Sequence, residues 1–135
     1  MSFVLVDSNV LLDLMTEDPS WFAWSSAAIE EAAESSRLVI NPVVYAEASV
    51  RFSRIEELNA ALPTALFERE PIPYEAAFLA GKAYLRYRRL GGTRRSPLPD
   101  FFIGAHAAVA GYRLLTRDAA RYRGYYPTVS LIAPN

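Results

Sequence analysis

The chain predicts a three-layer α/β/α domain built on a short, mainly parallel sheet. Three observations carry this. Short apolar runs of four to six residues alternate with longer segments of helical period along the whole chain. Gly, Pro, Asn and Asp punctuate the boundaries, and no repeat, low-complexity stretch or internal linker interrupts them. At 135 residues the chain is the size of one domain, residues 1–135. In a sheet of this kind, ligands bind beyond the carboxyl ends of the strands.

Phe3–Val6 is a continuous apolar run with two valines and reads as a buried parallel strand. Ser8-Asn9 offers cap chemistry for a helical turn through Leu14. Asp18 as N-cap with Pro19 at the first position starts a helix running to about Ser35. Arg37–Ile40 is the second strand. Asn41-Pro42 caps a helix over roughly 42–59, with further helical residues near 60–66. Phe67–Ile72 is a weaker strand. Tyr74–Leu90 is a long helix stopped by Gly91-Gly92, followed by a Gly/Arg/Pro loop to Pro99. Asp100–Tyr112 is a helix rich in Ala and Gly. Gly111 turns into a strand ending at Leu115, Ala119–Tyr122 is a short turn, and Thr128–Ile132 is the last strand.

Composition narrows the function classes. Hydrophobic residues make up 52% and charged residues 21%, an ordinary soluble balance with an apolar surplus that predicts a buried interface such as a homodimer. There is no cysteine, which excludes disulfides, thiolate metal sites and a cysteine nucleophile. No stretch reaches the ~18 apolar residues of a membrane span, and the start lacks the basic region of a signal peptide. A cytosolic protein with no membrane association is the expectation. The net charge of −1 hides an asymmetry: residues 1–75 hold thirteen acids against four arginines, and residues 76–135 hold ten bases against two acids. Lys82, Arg86, Arg88, Arg89, Arg94 and Arg95 form an acid-free run. Thirteen of the fourteen bases are arginine, whose planar fork suits phosphate. A solvated helix face is the plainer alternative; beside a metal site, a phosphate-bearing partner is favoured.

Four carboxylates point to that site. Asp7 ends the first strand, though an acid there also suits a turn or helix cap. Glu47 shares a helical face with Val43 and Val50, a core-facing stripe on which a glutamate needs a partner, either an ion or an arginine. Asp100 opens its helix on the face of Ile103, Gly104, Ala107 and Gly111, or serves as an N-cap. Asp118 follows Leu114-Leu115-Thr116-Arg117, where starting a turn is the plainer role. Acids are rarely buried unless paired or metal-bound. Brought together, four of them repel one another unless a cation intervenes. Oxygen donors without His or Cys partners favour a hard ion, Mg²⁺ or Mn²⁺. His106, six residues beyond Asp100, is rotated about 240° from it on a helix and is not expected at the site.

Val6-Asp7-Ser8-Asn9 with Leu11-Leu12, Val44-Tyr45-Ala46-Glu47, Pro99-Asp100-Phe101-Phe102-Ile103-Gly104-Ala105-His106-Ala107 and Leu115-Thr116-Arg117-Asp118 resemble, in order and spacing, the motifs of PIN domains. The likeness is to the VapC-type toxins of toxin–antitoxin pairs and runs from about residue 3 to residue 132. It implies an Mg²⁺- or Mn²⁺-dependent endoribonuclease acting on structured RNA, tRNA or rRNA. A homodimer and neutralisation by a VapB-type antitoxin are implied with it. By position, Asp7, Glu47, Asp100 and Asp118 are the acidic quartet, with Asp7 and Asp100 as direct metal ligands. Asn9 and Thr116 fall where the family places small polar residues that orient the acids or water. Phe101-Phe102 is bulkier than the family's usual aliphatics. Arg94, Arg95 and Ser96, just before Asp100, are expected to touch substrate phosphate, with Arg89 and Arg117 as further substrate contacts. The alternative is a catalytically silent PIN-like or phosphate-binding module acting by protein or RNA binding.

Overall fold

The computed structural model describes residues 2–92 and 98–135. Its centre is a five-stranded, wholly parallel sheet in the order β3-β2-β1-β4-β5. The strands are β1 (Ser2–Val6), β2 (Ser36–Ile40), β3 (Phe67–Arg69), β4 (Arg113–Leu115) and β5 (Leu131–Ile132). Val4, Leu5 and Val6 are fully buried. Successive strand residues point to opposite faces, so β1 is covered on both sides. That is why its sequence reads as an unbroken apolar run rather than an alternation.

Among the described residues seven helices surround the sheet: α1 (Ser8–Met15), α2 (Phe22–Ser35), α3 (Pro42–Ser49), α4 (Ile55–Ala61), α5 (Tyr74–Arg89), α6 (Leu98–Ala110) and α7 (Ala120–Arg123). The α2 helix packs on β2, and α6 packs on α5, α7 and β4. The chain builds β1, β2 and β3 outward in one direction, then crosses back to place β4 on the other side of β1. Strand order therefore reverses between β1 and β4, and a crevice opens where their carboxyl ends diverge. Register fixes what lines it: Val6 pairs with Leu115, so Asp7 and Thr116 leave the sheet side by side.

Several expected boundaries move. The predicted helix at Asp18 begins at Phe22, because the Asp18 carboxylate accepts from Ser20 and Trp21 N–H, both at 2.9 Å, and holds a turn first. The single helix expected over 42–59 is two, broken at 50–54. Ser49 Oγ donates to the Ala46 carbonyl at 2.6 Å, and the next amides tighten to three-residue bonds, Arg51 to Ala48 and Phe52 to Ser49. The stripe assigned to Glu47 is offset by one position. Val44 and Ala48 face the core, Val43 and Glu47 sit at its margin, and Val50 is 78% exposed. Asp100 is not an N-cap, since α6 starts two residues earlier at Leu98. Gly91 does end α5, with a φ of 87° that lets Gly92 N–H reach the Tyr87 carbonyl. Among the described residues no helix is long and apolar enough to cross a membrane.

Candidate active site

Asp7 is the fixed point of the crevice. It follows β1 directly and is 1% exposed. Its Oδ2 accepts hydrogen bonds from Thr116 Oγ1 and from the Tyr122 hydroxyl, both at 2.8 Å. Thr116 comes from the neighbouring strand end and Tyr122 from α7, so two segments remote in sequence from β1 fix one carboxylate. Asn9 completes the frame: its Nδ2 donates to Thr116 Oγ1 at 3.4 Å, and its Oδ1 accepts from Arg117 N–H at 3.2 Å. Thr116 Oγ1 also accepts from Asp118 N–H at 3.0 Å. Both residues expected to orient the acids are thus hydrogen-bonded into the site.

Glu47 reaches the same place from α3. Ser8 Oγ donates to Glu47 Oε1 at 2.8 Å and lies 3.4 Å from Asp7 Oδ1, so one hydroxyl joins the two acids. The Glu47 carboxyl is pushed above its usual value chiefly by burial, with the charges of Asp7 and Asp100 adding to the rise. The Ser8 hydrogen bond and the charge of Arg121 oppose it. Asp100, in the first turn of α6, and Asp118, after β4, meet at Arg121. Its Nε donates to Asp118 Oδ2 at 2.8 Å, and its Nη1 lies 3.4 Å from Asp100 Oδ1.

The four predicted acids therefore gather at one edge of the sheet, in two pairs: Asp7 with Glu47 through Ser8, and Asp100 with Asp118 through Arg121. Among the described residues no three of them stand close enough to enclose an ion unaided. The donor chemistry still fits Mg²⁺ or Mn²⁺. All the acidic side chains offer oxygen, and such an ion keeps several waters and needs only one or two direct carboxylates.

The arginines divide. Arg117, expected at substrate, has another task. Its Nε and Nη2 hold both oxygens of buried Asp13 at 2.9 and 3.0 Å, and its guanidinium lies over the Trp21 ring at 5.4 Å. Asp13 also accepts from Ser25 Oγ at 2.8 Å, so this group ties the β4 loop to α1 and α2. Arg89 is exposed in the last turn of α5. Arg94, Arg95 and Ser96 lie outside the described residues. His106 is buried away from the acids, its Nδ1 3.1 Å from Asn41 Nδ2 and its Nε2 3.7 Å from Glu70 Oε1.

Three site residues escaped the sequence reading: Ser8, which was read only as cap chemistry, Arg121 and Tyr122. A signal for Arg121 existed: Asp118 and Arg121 are spaced i, i+3, the reach of one helical turn. For Tyr122 there was none, since its bond to Asp7 spans 115 residues. Gly104 explains how the tyrosine fits. A Cβ there would collide with the Tyr126 ring and come within 3.1 Å of Tyr122 Cδ1, so α6 leaves the gap that both rings fill.

Comparison with known proteins agrees with this fold. The chain shares its fold with VapBC2 from Rickettsia felis, solved bound to a DNA fragment from its promoter, at a TM-score of 0.72 and 16% identity over 97% of this chain and 98% of that one. VapBC-1 from nontypeable Haemophilus influenzae gives 0.72 and 18% over 97% of each. Mycobacterium tuberculosis VapC20, a sarcin–ricin loop cleaving toxin, gives 0.55 and 15% over 82% and 85%. No curated protein matches the sequence. The PIN domain family model matches residues 4–124, which take in all four acids and Tyr122, and the chain belongs to the PIN domain family.

Proposed function

We propose that this protein is a Mg²⁺- or Mn²⁺-dependent endoribonuclease, the toxin of a VapBC-type toxin–antitoxin pair, cleaving structured RNA. The observation that carries this reading is the gathering of Asp7, Glu47, Asp100 and Asp118 at the carboxyl edge of β1 and β4. The fold shared with VapBC chains and with an RNA-cleaving toxin supports it, as does the basic second half of the sequence.

Asp7 and Asp100 would hold the ion, with Glu47 and Asp118 completing or orienting its surroundings. When bound, the ion supplies positive charge that offsets the phosphodiester's and eases loss of a proton from the attacking water. The chain's own residues supply the rest. Thr116 and Tyr122 keep Asp7 in one orientation through two hydroxyl donors on the same oxygen. Ser8 keeps Glu47 beside it. Burial chiefly, and then the charges of Asp7 and Asp100, raise the proton affinity of Glu47, and the charge part of that cost is relieved by any cation that enters.

A homodimer and a VapB-type antitoxin are proposed as partners, in the cytoplasm. Tyr74, Phe78 and Leu85 form one exposed apolar stripe on α5, with Tyr74 90% and Phe78 68% exposed. A stripe of that kind suits a protein partner. A second reading, a catalytically silent PIN-like module, takes its support from Arg121, which already balances Asp100 and Asp118. One experiment separates them. Purified protein free of antitoxin is incubated with tRNA and rRNA plus Mg²⁺, beside Asp7→Asn and a chelator control. The nuclease reading expects cleavage by the wild type and at least about a hundredfold loss in the variant. Equal cleavage by both proteins removes it.

A further inference from the structure

The α7 helix is a single turn, and it carries Arg121 into the middle of the acids. The guanidinium contacts two members of the quartet directly, its Nε 2.8 Å from Asp118 Oδ2 and its Nη1 3.4 Å from Asp100 Oδ1. The neighbouring Arg117 takes no part, being committed to Asp13. With its side chain about one-third exposed (34%), Arg121 can turn outward to water without crossing the core.

We propose that Arg121 is a built-in counter-cation that competes with the divalent ion for Asp100 and Asp118. This rests on the metal-dependent reading of the site. Before an ion arrives, the guanidinium relieves repulsion among the acids and stabilises the fold. A dication near those oxygens repels the guanidinium and takes its place, so the ion concentration at which the site fills is set partly by this side chain. Partly exposed ion pairs are individually weak. Two such contacts therefore tune ion affinity by roughly tenfold rather than abolishing it.

The test is Mn²⁺ binding to the full chain without RNA, followed by electron paramagnetic resonance of the free ion, for wild type, Arg121→Met and Arg121→Lys. Arg121→Met is expected to bind Mn²⁺ about tenfold more tightly and, without metal, to melt at a lower temperature than the wild type. Arg121→Lys keeps a charge but has a compact head that cannot fork between two carboxylates. It is expected to bind more tightly by a smaller factor, and it decides the matter if the methionine variant does not fold. Equal or weaker Mn²⁺ affinity in the variants overturns the role of Arg121 alone. Absence of Mn²⁺ binding in every protein, wild type included, overturns it together with the metal-dependent reading.

Discussion

Removing one hydroxyl tests how Asp7 is held. In Tyr122→Phe the ring, which is fully buried, keeps its packing, so little apolar burial is lost and no large cavity opens. What disappears is the donor 2.8 Å from Asp7 Oδ2. Burial first, then the charges of Asp7 and Asp100, pushes the Tyr122 hydroxyl well above its ordinary value, so it stays protonated and donating through neutral and mildly alkaline pH. A hydrogen bond to a charged group contributes about 1.5–3 kcal/mol. Asp7 is 1% exposed, so water cannot readily replace the lost donor. The variant should lose about that much stability. For a domain of this length, with roughly 2.1 cal/mol/K of unfolding entropy per residue, that is a fall in Tm of about 5–10 °C. Urea unfolding and thermal melts at pH 7, without divalent metal, give both numbers, with the urea slope unchanged. Thr116→Val removes the other donor to the same oxygen, so the double variant should depart from additivity by about 0.5 kcal/mol or more. A Tyr122→Phe protein within about 0.5 kcal/mol of wild type would refute the idea that this hydroxyl fixes Asp7.

Two further perturbations probe the support around the site. Gly104→Ala forces a methyl group against the Tyr126 and Tyr122 rings and should cost about 1–3 kcal/mol in urea unfolding. Gly81→Ala, with open space around it on α5, should be neutral or gain up to about 1 kcal/mol, and equal stability of the two variants would contradict the close packing of α6. Burial holds the His106 ring below its ordinary value of 6.5, against the opposing pull of Glu70. The unfolded chain then binds the proton more readily, so stability linked to this residue is present above about pH 6.5 and is lost as pH falls below it. His106→Gln should flatten the decline in stability between about pH 6.5 and 5, and an unchanged slope would show that another group governs it.

Individual residues show where reading the chain succeeds and where it stops. Phe3–Val6 could be recognised as a central strand because burial on both faces leaves an apolar run with an acid at its end. Asp100 and Asp118 could be singled out because they are the only acids in a strongly basic half. Glu47 was found for a reason that did not hold: Val50 is exposed, and the helix ends before it. Asp13 is as buried as Asp7 yet was passed over, since its partners Arg117 and Ser25 lie 104 and 12 residues away. The broken helix at 50–54 depended on side-chain hydrogen bonding at Ser49, which competes locally with the helix and leaves no periodic trace.

By itself the sequence determined the alternation of strands and helices, the parallel sheet, and the acids at strand and helix ends, because these follow from periodicity and from the cost of burying charge. Only the tertiary structure decided which groups share those acids. Asp7 meets Thr116 and Tyr122, Glu47 meets Ser8, and Asp100 with Asp118 meets Arg121. Apart from the Asp118–Arg121 pair, each of these contacts joins residues more than 20 positions apart, set by strand register and helix packing, and hydrogen bonds of a few ångströms cannot be read from spacing along a chain.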